Sequence, residues 1–352
     1  MHQASTFAIV ILDAMALSPK LSEASSVARE AERFGFGGLW FTESRHNPFL
    51  ASAVSAPVTH KLSLGTAIAL AFPRSPMVTA QVAWDLAQLS SGRFTLGLGT
   101  QVKAHIERRF SLPFSHPVAR IREYVLALRA VFEAFQGEAR LDFRGDYYSL
   151  TLLPDAFSGG PQGFPDVPVF LGGVNTEMAK AAGEVADGLH VHPFHTERYL
   201  NEVLLPSVAA GSELGERRRK FTITVPVLYA GLEGNDPVDE ERIAYLRGQI
   251  AFYGSTPNYR SVLELHGMES LADELRHFQR QGEIKKMSEA VSNDVLNLVA
   301  VIAPWDQLPN ALAERYQGKA DRIVLYGAPE QWRDRPELGP RFAAVTRQFS
   351  TM

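Results

Sequence analysis

Cysteine is absent from the 352 residues of the chain. Without it the protein has no disulfide bonds, no thiol nucleophile and no thiolate metal site. A large excess of charge of one sign is absent too, because 35 Lys and Arg residues stand against 39 Asp and Glu residues and the formal net charge is only −4. That balance provides no general basic surface for nucleic acid or for an anionic membrane. We therefore expect no nucleic-acid partner.

Apolar runs of membrane-spanning length are absent as well. The apolar run at 7–17 has no basic flank and is interrupted by Asp13, which is unlike a secretory signal. The sequence also lacks the glycine-rich dinucleotide motif, the Walker loop, the HExxH zinc motif, the nucleophile elbow and the kinase signatures. We expect a cytoplasmic protein that does not enter a membrane and that belongs to none of those enzyme classes.

Short apolar runs rich in β-branched residues alternate with longer amphipathic segments along the chain. Runs that are apolar almost throughout predict strands buried on both faces of a parallel sheet, and 45% hydrophobic residues suffice for a large core. Eight such units predict a (β/α)8 TIM barrel, a single α/β domain over residues 1–352, with a doubly wound open sheet as the alternative. The eight predicted strands are 6–12, 38–43, 62–70, 94–100, 168–173, 188–193, 221–231 and 322–327.

Two segments interrupt this alternation. Residues 137–167 are rich in Gly, Pro and aromatic residues, which favours a hairpin and loop inserted after the fourth helix. Residues 254–317 are mostly helical in pattern and form a long excursion before the eighth strand. Long loops in compact folds usually carry function, so we expect residues 254–296 to form a lid at the carboxyl end of the barrel.

The turn after the fifth predicted strand has the features of a phosphate site. Gly172 and Gly173 allow close backbone approach, and Asn175 or Thr176 can cap the Ala-rich helix that follows. The free N–H groups at the start of that helix favour an anion. A plain connection between strand and helix is an equally good interpretation of this segment taken alone.

Polar residues also follow the second predicted strand. Glu43, Ser44 and His46 place a carboxylate, a hydroxyl and an imidazole at one position on the barrel mouth, which is a possible acid/base set. A capped loop in which His46 binds the backbone is the alternative interpretation.

The fourth predicted strand ends in small residues followed by polar ones. Gly97 and Gly99 can admit a flat ligand, and Thr100, Gln101 and His105 can offer it polar contacts. A glycine pair kept for packing is the alternative.

His190 and His192 share a face of the sixth predicted strand, which raises the possibility of a metal site. No acidic partner pattern lies nearby, so we expect no metal and interpret His192 as lining a cofactor or substrate pocket. Arg74, after the third predicted strand, either contacts an anion or caps loop carbonyls.

Several segments together resemble the luciferase-like monooxygenase superfamily, and the stretch from Leu64 to Thr100 is the most specific of them. The resemblance implies a TIM barrel that binds FMN or the deazaflavin coenzyme F420 at its carboxyl end. The pattern is most similar to the deazaflavin-dependent oxidoreductases. The segments are 35–46, 64–69, 73–101, 122–132, 143–150, 168–173 and 179–188.

The resemblance also assigns roles to catalytic positions. The acidic position of the second strand corresponds to Glu43, whereas the catalytic histidine of several relatives corresponds to Ser44, which is a departure from the family pattern. His46 is the substitute that we consider for the proton-transfer role.

The cofactor positions are implied in the same way. The ring is expected to lie against a bulge at Ala67 and Ile68 that often holds a non-prolyl cis peptide, with a polar contact from Thr100 or His105. Its phosphate is expected at the turn of Gly173, Val174, Asn175 and Thr176.

Three functions remain open on these grounds. The first is hydride transfer between a small organic substrate and deazaflavin, and the second is an FMN-dependent monooxygenase that uses oxygen. The third is a binding protein without turnover, which the serine at position 44 keeps open. A homodimer is possible. We further predict that Glu43, Ala67, Thr100, Gly173 and His192 converge in one pocket.

Overall fold

The computed structural model describes residues 10–215, 219–234 and 237–352. Its strands are β1 Ile11–Ala16, β2 Gly38–Phe41, β3 Ser63–Thr66, β4 Ala69–Leu70, β5 Phe94–Gly99, β6 Phe143–Arg144, β7 Ser149–Leu150, β8 Val169–Gly173, β9 Gly188–Val191, β10 Thr222–Val227, β11 Tyr229–Leu232, β12 Val301–Pro304 and β13 Arg322–Tyr326.

Eight parallel strand positions close into a barrel. Neighbours pair in the order β3-β2-β1-β13-β10-β9-β8-β5, and β3 pairs with β5 to complete the circle. The short strand β4 continues the position of β3 and also pairs with β5. The predicted (β/α)8 barrel is therefore confirmed. Within the described residues the first strand begins at Ile11, and positions 6–9 of that prediction lie outside them.

Helices cover the barrel, and those that pack on it turn apolar side chains toward the strands. The α-helices are α1 Leu21–Phe34, α2 Pro48–Ser55, α3 Pro76–Leu89, α4 Lys103–Arg108, α5 Pro117–Gln136, α6 Thr176–Val185, α7 Glu197–Tyr199, α8 Leu205–Ser212, α9 Pro237–Gly254, α10 Arg260–Glu264, α11 Glu269–Gln281, α12 Ile284–Glu289, α13 Asn293–Val299, α14 Leu308–Tyr316, α15 Ala328–Asp334 and α16 Gly339–Phe349. A π-helical turn at Leu200–Leu204 joins α7 to α8, and 3₁₀ turns occupy Ala56–Val58, Asp155–Phe157, Pro257–Tyr259 and Pro336–Leu338.

Side chains fill the barrel interior rather than leaving a pore. Met15, Trp40, Phe170 and Val324 pack together there. Asp13, which is fully buried, accepts a 2.8 Å hydrogen bond from the Trp40 indole. Arg322 donates to both oxygens of the same carboxylate, at 2.6 and 2.9 Å. The buried carboxylate of Asp13 is thus neutralised by Arg322 and hydrogen-bonded by Trp40, which offsets the cost of removing a charge from water.

The insertion after α5 contains the predicted hairpin, since β6 and β7 pair antiparallel within 137–167. Glu123 on α5 holds the hairpin turn by accepting hydrogen bonds from the backbone N–H groups of Asp146, Tyr147 and Tyr148 at 2.9, 2.7 and 2.6 Å.

The second excursion begins earlier than the sequence predicts. The predicted strand 221–231 is two strands, β10 in the barrel and β11 outside it, and β11 pairs in parallel with β12 in a separate sheet. Helices α9 to α13 lie between these two strands, so the excursion starts after β10 and not at 254. The strand β12 was missed because its four residues directly follow the apolar helix α13, where periodicity does not separate strand from helix. That residues 1–352 form one domain stays a prediction.

None of the helices in the described part of the chain is long and apolar enough to cross a membrane.

Candidate cofactor-binding site

A cleft of about 360 Å³ lies at the carboxyl ends of the barrel strands. Glu43, Ala67, Thr100, Gly173 and His192 all line it, so the predicted convergence of these five residues is confirmed. Ile68, Val174 and Asn175, which the sequence also places in the site, line the same cleft. What each of them binds stays a prediction.

Four of the predicted site residues do not line the cleft: Ser44, His46, His105 and Thr176 are exposed. Ser18 fixes the backbone of the loop after β2. Its hydroxyl accepts hydrogen bonds from the backbone N–H groups of Arg45 and His46 at 3.1 and 2.7 Å. The roles proposed for these residues are untested, and the geometry places none of them at the cleft wall.

Glu43 is fully engaged by neighbouring residues. Arg74 donates to both carboxylate oxygens at 2.9 and 2.7 Å, and the backbone N–H of Leu70 donates to Oε2 at 2.7 Å. Arg74 also caps the carbonyl of Leu70 at 2.9 Å, which agrees with the carbonyl-capping interpretation of this arginine. Glu43 and Arg74 together connect β4 to the end of β2 through the backbone of Leu70. The geometry therefore favours a role for Glu43 in positioning β4.

The third barrel strand is interrupted at the predicted position. The peptide bond between Ala67 and Ile68 is cis, and it separates β3 from β4. The Ile68 side chain packs over two glycines: a Cβ atom on Gly99 would lie 2.6 Å from Ile68 Cδ1, and one on Gly172 would lie 2.9 Å from Ile68 Cγ2. Both glycines therefore make room for Ile68, which supports the packing interpretation of Gly99 at the end of β5.

The turn after β8 forms the start of a helix that faces the cleft. Asn175 is the N-cap of α6, and its side-chain oxygen accepts the backbone N–H of Met178 at 2.9 Å. The first N–H groups of a helix have no partner within it, and the helix dipole adds positive potential at that end. The turn therefore fits a phosphate group, since it supplies neutral donors to an anion at the cleft wall.

His190 lies at the floor of the cleft and was not included in the predicted site. Its ring lies 4.6 Å from the ring of Trp40 and 5.4 Å from that of Phe170, and neither ring nitrogen has a hydrogen-bond partner in the described structure. Burial, followed by the charge of Arg322, lowers the pKa of His190 to about 3, so the ring is neutral. Because a buried polar atom normally has a partner, His190 fits a polar atom of a bound ligand.

His192 forms part of the cleft wall and is also neutral. Burial, followed by the charge of His195, lowers its pKa to about 3. Its Nδ1 accepts the backbone N–H of Phe194 at 3.1 Å, so the ring hydrogen is on Nε2. The imidazole lies 4.2 Å from the ring of Tyr259 and 4.7 Å from that of Tyr253.

Part of this wall is aromatic and was not predicted from the sequence. Tyr253, Asn258 and Tyr259 reach the cleft from the second insertion, and Tyr326 reaches it from the end of β13. Tyr326 could have been found, because it ends a predicted barrel strand. The other three follow no strand, so the rule that places sites at strand ends gives no signal for them.

No three His, Cys, Asp or Glu side chains lie together in metal-binding geometry within the described ranges.

The sequence model of a family described as luciferase-like monooxygenase matches residues 4–322. An uncharacterised protein of Mycobacterium tuberculosis is 42% identical over 307 residues, which are 87% of this chain and 90% of that protein.

Two further matches have described activities. A 5,10-methylenetetrahydromethanopterin reductase of Archaeoglobus fulgidus is 25% identical over 322 residues and is matched along 88% of this chain and 90% of its own length. The structure of the coenzyme F420-dependent tetrahydromethanopterin reductase of Methanopyrus kandleri superposes with a TM-score of 0.78 at 19% identity, covering 96% of this chain and 97% of that one. The structural likeness agrees with the barrel fold.

Proposed function

The chain belongs to the luciferase-like monooxygenase family, and from this membership we propose that it is an oxidoreductase that moves a hydride between coenzyme F420 and a small organic substrate. The observation that carries the proposal is the cleft itself. The start of α6 offers backbone donors for a phosphate in the same cleft whose floor and wall are lined by His190 and His192. A relative from Mycobacterium tuberculosis that is named as a putative coenzyme F420-dependent oxidoreductase, 24% identical over 298 residues, supports the deazaflavin over FMN.

The residues of the cleft have separate tasks in this proposal. The deazaflavin supplies a ring carbon that accepts or delivers a hydride. Gly173, Val174 and Asn175 hold its phosphate, and the break at Ala67 and Ile68 supports its ring. The neutral His190 offers a hydrogen bond from the floor without adding charge. The insertion that carries Tyr253 and Tyr259 covers the cleft and excludes water from the reacting atoms.

An FMN-dependent monooxygenase is the second candidate, because the family name describes that activity and the turn can hold the phosphate of either cofactor. The two cofactors differ beyond the phosphate, since F420 continues into lactyl and glutamyl carboxylates. Additional carboxylates make binding more sensitive to salt when they meet cations at the surface.

The experiment is a fluorescence titration of the protein with F420 and with FMN at low and at raised salt. We expect tighter binding of F420 and a larger loss of F420 affinity in salt. Tighter binding of FMN, together with oxygen consumption by the complex of reduced FMN, would replace the proposal with the second candidate.

The phosphate site is tested by Asn175→Asp. Aspartate caps a helix as well as asparagine does, so α6 keeps its stability while a negative charge enters the turn. We expect both cofactors to bind more weakly by about tenfold or more, because like charges would then face each other over a few ångströms. Ser75→Asp is the matched control, because Ser75 is the N-cap of α3 and does not line the cleft. Unchanged affinity in Asn175→Asp would move the phosphate to another site.

A further inference from the structure

Two tyrosine hydroxyls meet at the side of the cleft where the insertion covers the barrel. Tyr253 on α9 and Tyr326 at the end of β13 both line the cleft, and their oxygens are 2.9 Å apart. We propose that Tyr326, supported by Tyr253, exchanges a proton with the oxygen of the substrate, which is accordingly a small carbonyl compound or the corresponding alcohol. The inference rests on the proposed function, because the tyrosine pair needs a hydride donor or acceptor beside it.

Apart from the tyrosines, the titratable side chains of the cleft are unsuited to this task. Tyr259 also lines the cleft, and Tyr326 is preferred to it because Tyr326 has the hydroxyl of Tyr253 as a partner at 2.9 Å. Both carboxylate oxygens of Glu43 are occupied by Arg74, and one of them also binds the backbone of Leu70. The neutral rings of His190 and His192 are very weak bases, because burial lowers the pKa of each to about 3. As neutral imidazoles they are also poor acids at neutral pH, so they can hydrogen-bond to a ligand but cannot exchange a proton with it.

The tyrosine pair, in contrast, can donate a proton to a ligand. When one hydroxyl donates to the other, the acceptor keeps its own hydrogen free, so the pair always presents one O–H group. If Tyr253 is the donor, its hydrogen bond also stabilises the phenolate that Tyr326 becomes when it gives up a proton. Tyr326 is therefore the member suited to donate to a ligand, and Tyr253 is a positioning residue that returns the proton.

Both hydroxyls are protonated at neutral pH. Burial raises the pKa of Tyr326 to about 12, against the opposing effect of the hydrogen bond between Tyr326 and Tyr253. Burial raises the pKa of Tyr253 as well. The other groups that act on the pair are Tyr245, Tyr259 and the carboxylate of Glu330, and their charged forms would disfavour a phenolate.

The reaction balances with these groups alone and one hydride donor, the reduced deazaflavin. In carbonyl reduction the hydride forms a new C–H bond at the carbonyl carbon while the π pair of C=O moves to oxygen. That oxygen takes the proton from Tyr326, Tyr326 takes one from Tyr253, and Tyr253 recovers its proton from water. Alcohol oxidation runs through the same steps in reverse, with oxidised deazaflavin as the hydride acceptor.

The first measurement compares wild type, Tyr326→Phe, Tyr253→Phe and the control Tyr148→Phe. Tyr148 lies in the hairpin and does not line the cleft. Its hydroxyl accepts a hydrogen bond from Arg120 at 2.9 Å. Fluorescence titration with F420 should give the same affinity for all four proteins. Wild type that binds no F420 would overturn the proposed function and this inference with it.

The second measurement is single-turnover hydride transfer from bound reduced F420 to acetone, and from propan-2-ol to bound oxidised F420. We expect Tyr326→Phe to lower the rate about a hundredfold or more, as loss of a general acid does. Tyr253→Phe should lower it about tenfold, the value of one hydrogen bond, and Tyr148→Phe should stay within about twofold. Wild type that binds F420 but converts neither probe, or Tyr326→Phe that turns over like wild type, overturns the inference and leaves the proposed function standing.

The pH profile and a binding probe separate catalysis from structure. Because Tyr326 stays protonated, the wild-type rate of acetone reduction should be flat between about pH 6 and 9. A rate that falls through neutral pH would indicate an ordinary histidine as the donor and would overturn the inference. Acetamide, a carbonyl compound that accepts no hydride, should bind the oxidised complex about fivefold to tenfold more weakly in Tyr326→Phe. Equal acetamide affinity in Tyr326→Phe and wild type would also overturn it.

Discussion

Buried histidines with lowered pKa values make the stability of the protein depend on pH. His190 and His195 are 3% and 1% exposed. The imidazole of His195 lies between the carbonyl of His192 at 2.9 Å and the hydroxyl of Tyr316 at 3.1 Å. Burial lowers the pKa of His190 to about 3 and that of His195 to about 4. Both rings are therefore neutral in the folded protein at a pH where the unfolded chain would protonate them.

We predict that acid destabilises the protein through these two residues, and in the same way through His192, whose pKa burial also lowers to about 3. Below an ordinary histidine pKa of about 6.5 the unfolded chain binds a proton at each position, while the folded protein does not until the pH nears 3 or 4. The free energy of unfolding should fall by about 1.4 kcal/mol per histidine for each pH unit below 6.5, and these residues should contribute no pH dependence above it.

Urea denaturation at about pH 6.5 and 5.5 measures this loss. His195→Gln should lose less stability than wild type over that interval, by about 1 kcal/mol. His277→Gln is the control, because His277 is exposed on α11. Equal pH dependence in wild type and His195→Gln would show that His195 is protonated in the folded state.

Two elements of the barrel meet closely where β5 passes β3. Thr66 donates its hydroxyl to the carbonyl of Gly97 at 2.6 Å and accepts the N–H of Gly97 at 3.0 Å. A Cβ atom on Gly97 would collide with the backbone oxygen of Thr66, which has no room to move within the barrel. Glycine at position 97 is therefore required by the approach of two strands and not by a ligand.

We predict that Gly97→Ala destabilises the fold by about 3 kcal/mol or more, because overpacking against backbone cannot be relieved by a change of rotamer. Gly163→Ala is the control, since no atom lies within 4 Å of a Cβ there. It should change stability by less than about 0.5 kcal/mol. Thermal unfolding of both variants measures the difference, and similar melting temperatures would contradict the prediction.

The whole molecule combines a rigid barrel with an insertion that completes its cleft. The wall of the cleft includes His192 from the barrel and Tyr253 and Tyr259 from the insertion. A ligand in the cleft therefore contacts two parts of the chain that are far apart in sequence. A homodimer and residence in the cytoplasm stay predictions at this scale.

We predict that bound cofactor slows backbone hydrogen exchange in two separate segments, 172–178 and 253–259, because a ligand that contacts both restrains both. The hairpin of β6 and β7 lies away from the cleft and is the internal control. Exchange measured by mass spectrometry with and without F420 checks this. Protection of 172–178 alone would mean that the insertion takes no part in binding.

The sequence by itself determined the barrel, the N-cap of α6 and the break in the third strand. Each depends on residues close together in the chain. An apolar run predicts a buried strand whatever lies beside it, and Asn175 caps α6 through the backbone of Met178, three residues away. The interruption at Ala67 and Ile68 came from the resemblance of that segment to a family.

Tertiary structure alone decided which of the predicted residues can act. Nothing near Glu43 in the chain indicates that Arg74 binds both of its oxygens, and nothing near His46 indicates that its loop leaves the cleft wall. Tyr253 meets Tyr326 across 73 positions of sequence. A side chain's protonation, partners and exposure depend on what packs against it, and in a closed barrel those neighbours come from strands and insertions far away in the chain.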